Sequence, residues 1–118
     1  MLNCNWSAPI ARTMAWAMCW SGLAVLPSTA AGISPEQASR LVRLVRQDCG
    51  SCHGLTLQGG LGPALLPQTL QDKPADYLQF VIMNGRTGTA MPPWRRFLSE
   101  AEAAWVVANL QKGFPSGH

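Results

Sequence analysis

The chain has 118 residues, with nine basic and six acidic side chains and a formal net charge of +3. That excess is too small and too dispersed for a nucleic-acid binder, and neither a basic run nor an internal repeat suggests one. Four cysteines fall as two isolated pairs, Cys4 with Cys19 and Cys49 with Cys52, an arrangement that excludes a disulfide framework as the source of stability.

Residues 13–26 form an uncharged, mostly apolar run preceded by Arg12 and followed by Pro27 and the small residues Ser28, Thr29, Ala30 and Ala31. This is the order of a secretory signal: positive start, short apolar core, small-residue cleavage site. The apolar core is shorter than the about 20 residues a spanning helix needs. Residues 1–31 are therefore expected to be a cleaved signal peptide that exports the rest of the chain. Residues 32–118 are expected to be one mature domain. Cys4 and Cys19 would leave with the signal, so Cys49 and Cys52 would be the only mature cysteines.

A first helix is expected from about Pro35 to Gln47. Ser34 is a good N-cap, Pro35 suits the first helical position, and Gln37 completes a capping box. Ala38, Leu41, Val42 and Val45 make an apolar stripe that runs on through Cys49 to Cys52. Arg40, Arg43 and Arg46 recur on another face and read as a solvated surface.

Cys49-Gly50-Ser51-Cys52-His53 follows directly. A C-x-x-C-H run is the attachment pattern of a c-type haem: two thiols on one side of a helix end can form thioethers to the porphyrin vinyl groups, and the next histidine can bind the iron. Zinc would need four ligands, yet beyond His53 there is no further Cys and the sole other His is His118. A redox dithiol usually opens a helix in a sheet-containing fold, whereas this chain has little strand signal. With the expected signal removed, the remaining chain is small for a self-sufficient core, and a buried macrocycle would add apolar area.

After the motif, Gly54 to Gly62 reads as a glycine-containing loop. Pro63 follows, and its carbonyl is a candidate acceptor for the free ring N–H of a metal-bound His53. A second helix is expected from Pro74 to Asn84, stopped by Gly85, with Leu78, Val81 and Ile82 inward, Tyr77 and Phe80 beside them, and Met83 as core filling. Next comes a loop stiffened by Pro92 and Pro93. It carries Met91, the favoured sixth ligand: a loop fixed by prolines can hold a thioether against iron at little ordering cost. A last helix is expected after Ser99, which with Glu102 forms a second capping box, and is expected to reach about Lys112. Its expected buried residues are Ala101, Ala104, Trp105, Ala108 and Leu110.

In order, Cys49-x-x-Cys52-His53-Gly54, Gly62-Pro63, Met91-Pro92-Pro93 and the helix from Glu102 to Leu110 resemble the small class I cytochromes c. The resemblance covers essentially the whole expected mature chain. It implies an all-α fold of helices and Gly/Pro-rich loops around one covalently bound haem c. It assigns Cys49 and Cys52 to thioethers, His53 and Met91 to the iron, and Pro63 to the histidine. Two positions depart from that pattern. Leu41 stands where the first helix often has a small residue at its crossing with the last, and Asn109 stands where the last helix often has an aromatic one. More narrowly, residues 47–56 and 85–94 are similar to the short monohaem cytochromes made alongside haem-cd1 nitrite reductase in denitrifying bacteria. That similarity implies a periplasmic one-electron carrier rather than an enzyme, with nitrite reductase and other periplasmic redox proteins as partners; the chain is expected to act as a monomer. The alternative it implies is a part in haem d1 assembly.

Overall fold

The computed structural model describes residues 32–115; the expected signal peptide and His118 lie outside them. The described residues are helical, with no strand among them: α1 (Pro35–Leu44), a π-helical segment (Val45–Cys49), α2 (Gly50–His53), α3 (Pro67–Leu70), α4 (Ala75–Asn84) and α5 (Glu100–Lys112).

Both expected capping boxes form. At α1 the Ser34 hydroxyl accepts from the Gln37 N–H at 3.2 Å, and the Gln37 side chain accepts from the Ser34 N–H at 2.9 Å. At α5 Ser99 and Glu102 make the same exchange. Each box satisfies two of the orphan donors at a helix start.

The first helical run is longer than its sequence suggested. It continues past Gln47 through the π-helical segment and α2 to His53. The Gly50 N–H reaches the carbonyl of Val45, five residues back. Such a wide turn shifts the phase of the apolar stripe immediately before the cysteine pair, and π-turns concentrate at functional positions. The short α3, opened by Pro67, was not signalled by any capping side chain: Leu66 at its N-cap makes no side-chain bond.

The core comprises Leu41, Val45, Leu57, Leu70, Met83, Leu98, Ala103, Val106 and Leu110. Met83 is buried as expected. On α5 the buried set is Glu102, Ala103, Val106, Val107 and Leu110, while Ala101, Ala104 and Ala108 are exposed. The alanine reading had the helix rotated: a stripe of three alanines and the valine-containing stripe both have helical spacing, and the larger apolar area of two valines goes inward. Leu41, at the position where a small residue was expected, and Ala103 of α5 are both fully buried in the same core. Asn109 instead donates to its own helix, to the Trp105 carbonyl at 2.8 Å.

Two of the three arginines expected on a solvated face make long-range bonds, although Arg40 stays half-exposed. Arg40 pairs with Glu102 of α5. Arg46 donates to the carbonyls of Leu55, Phe114 and Pro115 and lies over the Phe114 ring at 5.7 Å, tying the helix before the cysteines to the loop after them and to the segment beyond α5. Phe114 in turn packs edge-on against Trp105.

Candidate haem site

The end of α2 is covered by its own following loop. The Gly59 N–H donates to the His53 carbonyl and the Gly62 N–H to the Cys52 carbonyl, both at 2.8 Å. These bonds satisfy two C-terminal helix carbonyls that would otherwise be orphaned. Leu57 at the turn of the loop is buried in spite of a left-handed backbone (φ 61°). That conformation costs a leucine roughly 1–2 kcal/mol, and burial of its side chain offsets it at about 1.5–3 kcal/mol.

Folding the loop back brings Gly62 against the His53 imidazole. A Cβ at position 62 would stand 2.6 Å from Cε1 and 2.7 Å from Nδ1 of that ring, so only glycine lets the backbone pass there. The next carbonyl, of Pro63, lies 2.7 Å from His53 Nδ1. With that carbonyl as acceptor, Nδ1 carries the proton and Nε2 is left with its lone pair, the state a metal-binding histidine needs.

Beside this wall is a cavity of about 360 Å³, within the size range of small-molecule and cofactor sites. Cys49, Cys52 and His53 line it from the first helical run, Leu78 and Ile82 from α4, and Val106 from α5. Pro63 and Met91 line it from the two loops. Thus all five residues singled out in the sequence come to one cavity, while Met83 is absent from its lining. The lining is overwhelmingly apolar, which suits the face of a porphyrin and would be a poor cradle for a hydrated ion. No group of three or more His, Cys, Asp or Glu able to hold a metal occurs among the described residues. Burial, with the Asp48 carboxylate next, pushes the Cys49 thiol up to about 11, so at neutral pH it is a thiol rather than a thiolate. That environment opposes zinc binding and thiolate chemistry.

Met91 is held by the loop that follows α4. Gly85 ends that helix with φ +67°, and a Cβ there would meet the Met91 carbonyl oxygen at 2.6 Å and Pro92 and Pro93 at 2.7 and 2.8 Å. The Trp94 N–H then donates to Ile82 at 3.1 Å, closing the loop onto α4. Of the arginines flanking it, Arg95 hydrogen-bonds Asn84. Glu100 takes Gln79 and Glu102 takes Arg40.

Sequence reading missed the anchoring of Arg46 and Arg40, whose regular spacing looked like an exposed stripe. It also missed Thr89, which hydrogen-bonds within the methionine loop.

Comparison with known proteins agrees with this geometry. The family described as "Cytochrome C oxidase, cbb3-type, subunit III" matches residues 34–110. Cytochrome c55X of Stutzerimonas stutzeri is 48% identical over 86 residues, 73% of this chain and 76% of that protein. The solved structure of c-type cytochrome NirC superposes with a TM-score of 0.67 at 48% identity, covering 68% of this chain and 94% of that one. Dihydro-heme d1 dehydrogenase NirN, solved in complex with DHE, superposes with a TM-score of 0.55 at 39% identity, over 58% of this chain but only 15% of that one. The chain therefore belongs to the class I c-type cytochromes, alongside the cytochrome c55X proteins, a family of electron carriers built on covalently bound haem c.

Proposed function

We propose that this protein is a periplasmic one-electron carrier with a single haem c, held by thioethers from Cys49 and Cys52 and ligated axially by His53 and Met91, and that it donates electrons to haem-cd1 nitrite reductase. The observation that carries the reading is the convergence of both cysteines, the Pro63-oriented histidine and the loop methionine on one apolar cavity. The bound group supplies a one-electron ferric/ferrous couple. The chain's own residues hold it: His53 is aimed by Pro63, Met91 is aimed by the Gly85–Trp94 closure, and the apolar walls exclude water. With His53 and Met91 both holding the iron, no position would remain for a substrate, which would separate a carrier from an enzyme.

Residues 1–31 are assigned to export and cleavage, which also gives the thiols an oxidising compartment in which haem attachment competes with disulfide formation. No helix among the described residues is long and apolar enough to cross a membrane. Arg86, Arg95 and Arg96 flank the Met91 loop and Trp94, and are exposed. They are the proposed steering surface toward the reductase.

The test has two arms. Met91→Ala should abolish the weak sulfur-to-iron charge-transfer band of the ferric protein and lower its potential, while Met83→Ala should retain the band; the reverse identifies the wrong methionine. In stopped-flow mixing with oxidised nitrite reductase, reversing Arg95 and Arg96 to Glu should slow second-order transfer at low salt without altering the spectrum. Failure of the wild-type protein to reduce that enzyme at all removes the partner.

A second reading has its own support: the similarity to part of dihydro-heme d1 dehydrogenase. On that reading the same redox centre serves haem d1 assembly, accepting electrons from a d1 precursor. Reduction of the oxidised cytochrome by that enzyme and its substrate, faster than any transfer to nitrite reductase, would favour it.

A further inference from the structure

Six residues, Arg86 to Met91, close a small ring at the start of the methionine loop. The Arg86 N–H donates to the Met91 carbonyl at 3.1 Å, and the Thr89 N–H returns to the Arg86 carbonyl at 3.0 Å. The Thr89 hydroxyl completes the ring. Its proton goes to the same Arg86 carbonyl at 2.7 Å, and its oxygen accepts the Met91 N–H at 3.3 Å. A hydroxyl has one proton to give and two lone pairs, so this one serves both ends of the turn. Both backbone polar groups of Met91 are thereby tied inside the loop, one of them only through Thr89. Pro92, next in the chain, has no N–H to add a further tie. Among the described residues, Thr89 is the sole side chain between positions 85 and 94 that makes a hydrogen bond; Thr87, two residues earlier, makes none. Thr89 also lines the cavity beside Met91.

We propose that Thr89 is a positioning residue for Met91, its hydroxyl fixing the backbone from which the thioether enters the haem cavity. This rests on the reading of Met91 as the axial ligand. Without the hydroxyl, the Met91 N–H turns to water, the ring opens on one side, and the thioether leaves the iron more often.

The test uses the haem-loaded protein with Thr89→Val, Thr89→Ala, Thr89→Ser and Thr87→Val. Two quantities are read: the pH at which the ferric sulfur-to-iron band is lost on alkaline titration, and the rate of carbon monoxide uptake by the ferrous protein. Exposed hydrogen bonds of this kind shift an open–closed equilibrium by about three- to tenfold. Thr89→Val and Thr89→Ala are therefore expected to take up carbon monoxide about three to ten times faster and to lose the band at lower pH. Thr89→Ser keeps the hydroxyl and Thr87→Val removes one that bonds nothing, so both are expected to match wild type. Hydroxyl-free variants indistinguishable from wild type would overturn the inference, as would Thr89→Ser failing to restore the wild-type profile or Thr87→Val giving the same shift. Met91→Ala separates the two levels. If it loses the band while Thr89→Val is silent, only the role of Thr89 falls; if it keeps the band, the axial reading falls with it.

Discussion

Replacing Gly62 with alanine adds one methyl group directly against the His53 ring. The new Cβ would lie 2.6 Å from His53 Cε1, 2.7 Å from Nδ1 and 3.1 Å from Nε2. Ordinary contact begins near 3.4 Å, so the ring or the Gly62 backbone must withdraw by about 0.8 Å (3.4 less 2.6). The Gly62 N–H is bound to the Cys52 carbonyl at 2.8 Å, which resists movement of the loop. A ring retreat of that size stretches the 2.7 Å contact between Nδ1 and the Pro63 carbonyl to about 3.5 Å, beyond useful hydrogen-bond length. Losing it costs about 1 kcal/mol of stability and makes the imidazole a weaker donor to iron. A weaker donor favours the ferrous form. A differential of about 1 kcal/mol corresponds to roughly 40 mV for a one-electron couple, so the midpoint potential of Gly62→Ala is expected to rise by about that much. Spectroelectrochemical titration of the purified protein, with urea denaturation alongside, checks both numbers. A variant with unchanged potential and unchanged stability would refute the argument that this glycine and carbonyl set the histidine.

Gly85→Ala combines a left-handed backbone with contacts of 2.6–2.8 Å to Met91, Pro92 and Pro93; it is expected to lose the sulfur-to-iron band and at least about 1–2 kcal/mol of stability, read by the ferric spectrum and urea denaturation. The Glu102 carboxyl is held below its ordinary value first by the Ser99 backbone N–H and further by Arg40. A depressed carboxylate contributes stability that is complete above its unfolded pKa and is lost as pH falls through the folded one. Glu102→Gln keeps the capping geometry without the charge, so it should cost about 1 kcal/mol at pH 7, Arg40 being half-exposed, with the gap closing below about pH 4. Arg46→Ala removes bonds to three carbonyls and the contact over Phe114; it should cost about 2 kcal/mol and speed hydrogen exchange at the Gly113 and Phe114 amides, with Arg46→Lys restoring little because an ammonium lacks the planar fork.

The parts of this fold that were legible in the sequence are those set by local chemistry. Ser34 with Gln37 and Ser99 with Glu102 announce helix starts through side chains that bond their own turns, and Gly85 and Gly113 announce ends. The residues that meet at the cavity were legible for the same reason: the expected haem chemistry needs its thiols and histidine at one spacing, and prolines mark the methionine loop. What was not legible depends on partners far along the chain. The inward face of α5 is decided by what the elements packed on it, chiefly α4 and α3, present to it, and two candidate stripes with the same period cannot be separated without that information. Arg40 and Arg46 looked solvated because their partners, Glu102 and the carbonyls of Phe114 and Pro115, are more than 60 residues away. The π-helical segment carries no residue type that marks it. It shows itself only in the five-residue reach of the Gly50 N–H.

The most direct test of the central claim is to offer carbon monoxide to the reduced, purified protein and follow its absorption spectrum. A carrier with His53 and Met91 both on the iron should keep its ferrous spectrum on the timescale of mixing, and the ferric form should show the sulfur-to-iron band. Immediate formation of a carbon monoxide adduct by the wild-type protein, with no such band, would mean an open iron and would contradict the account.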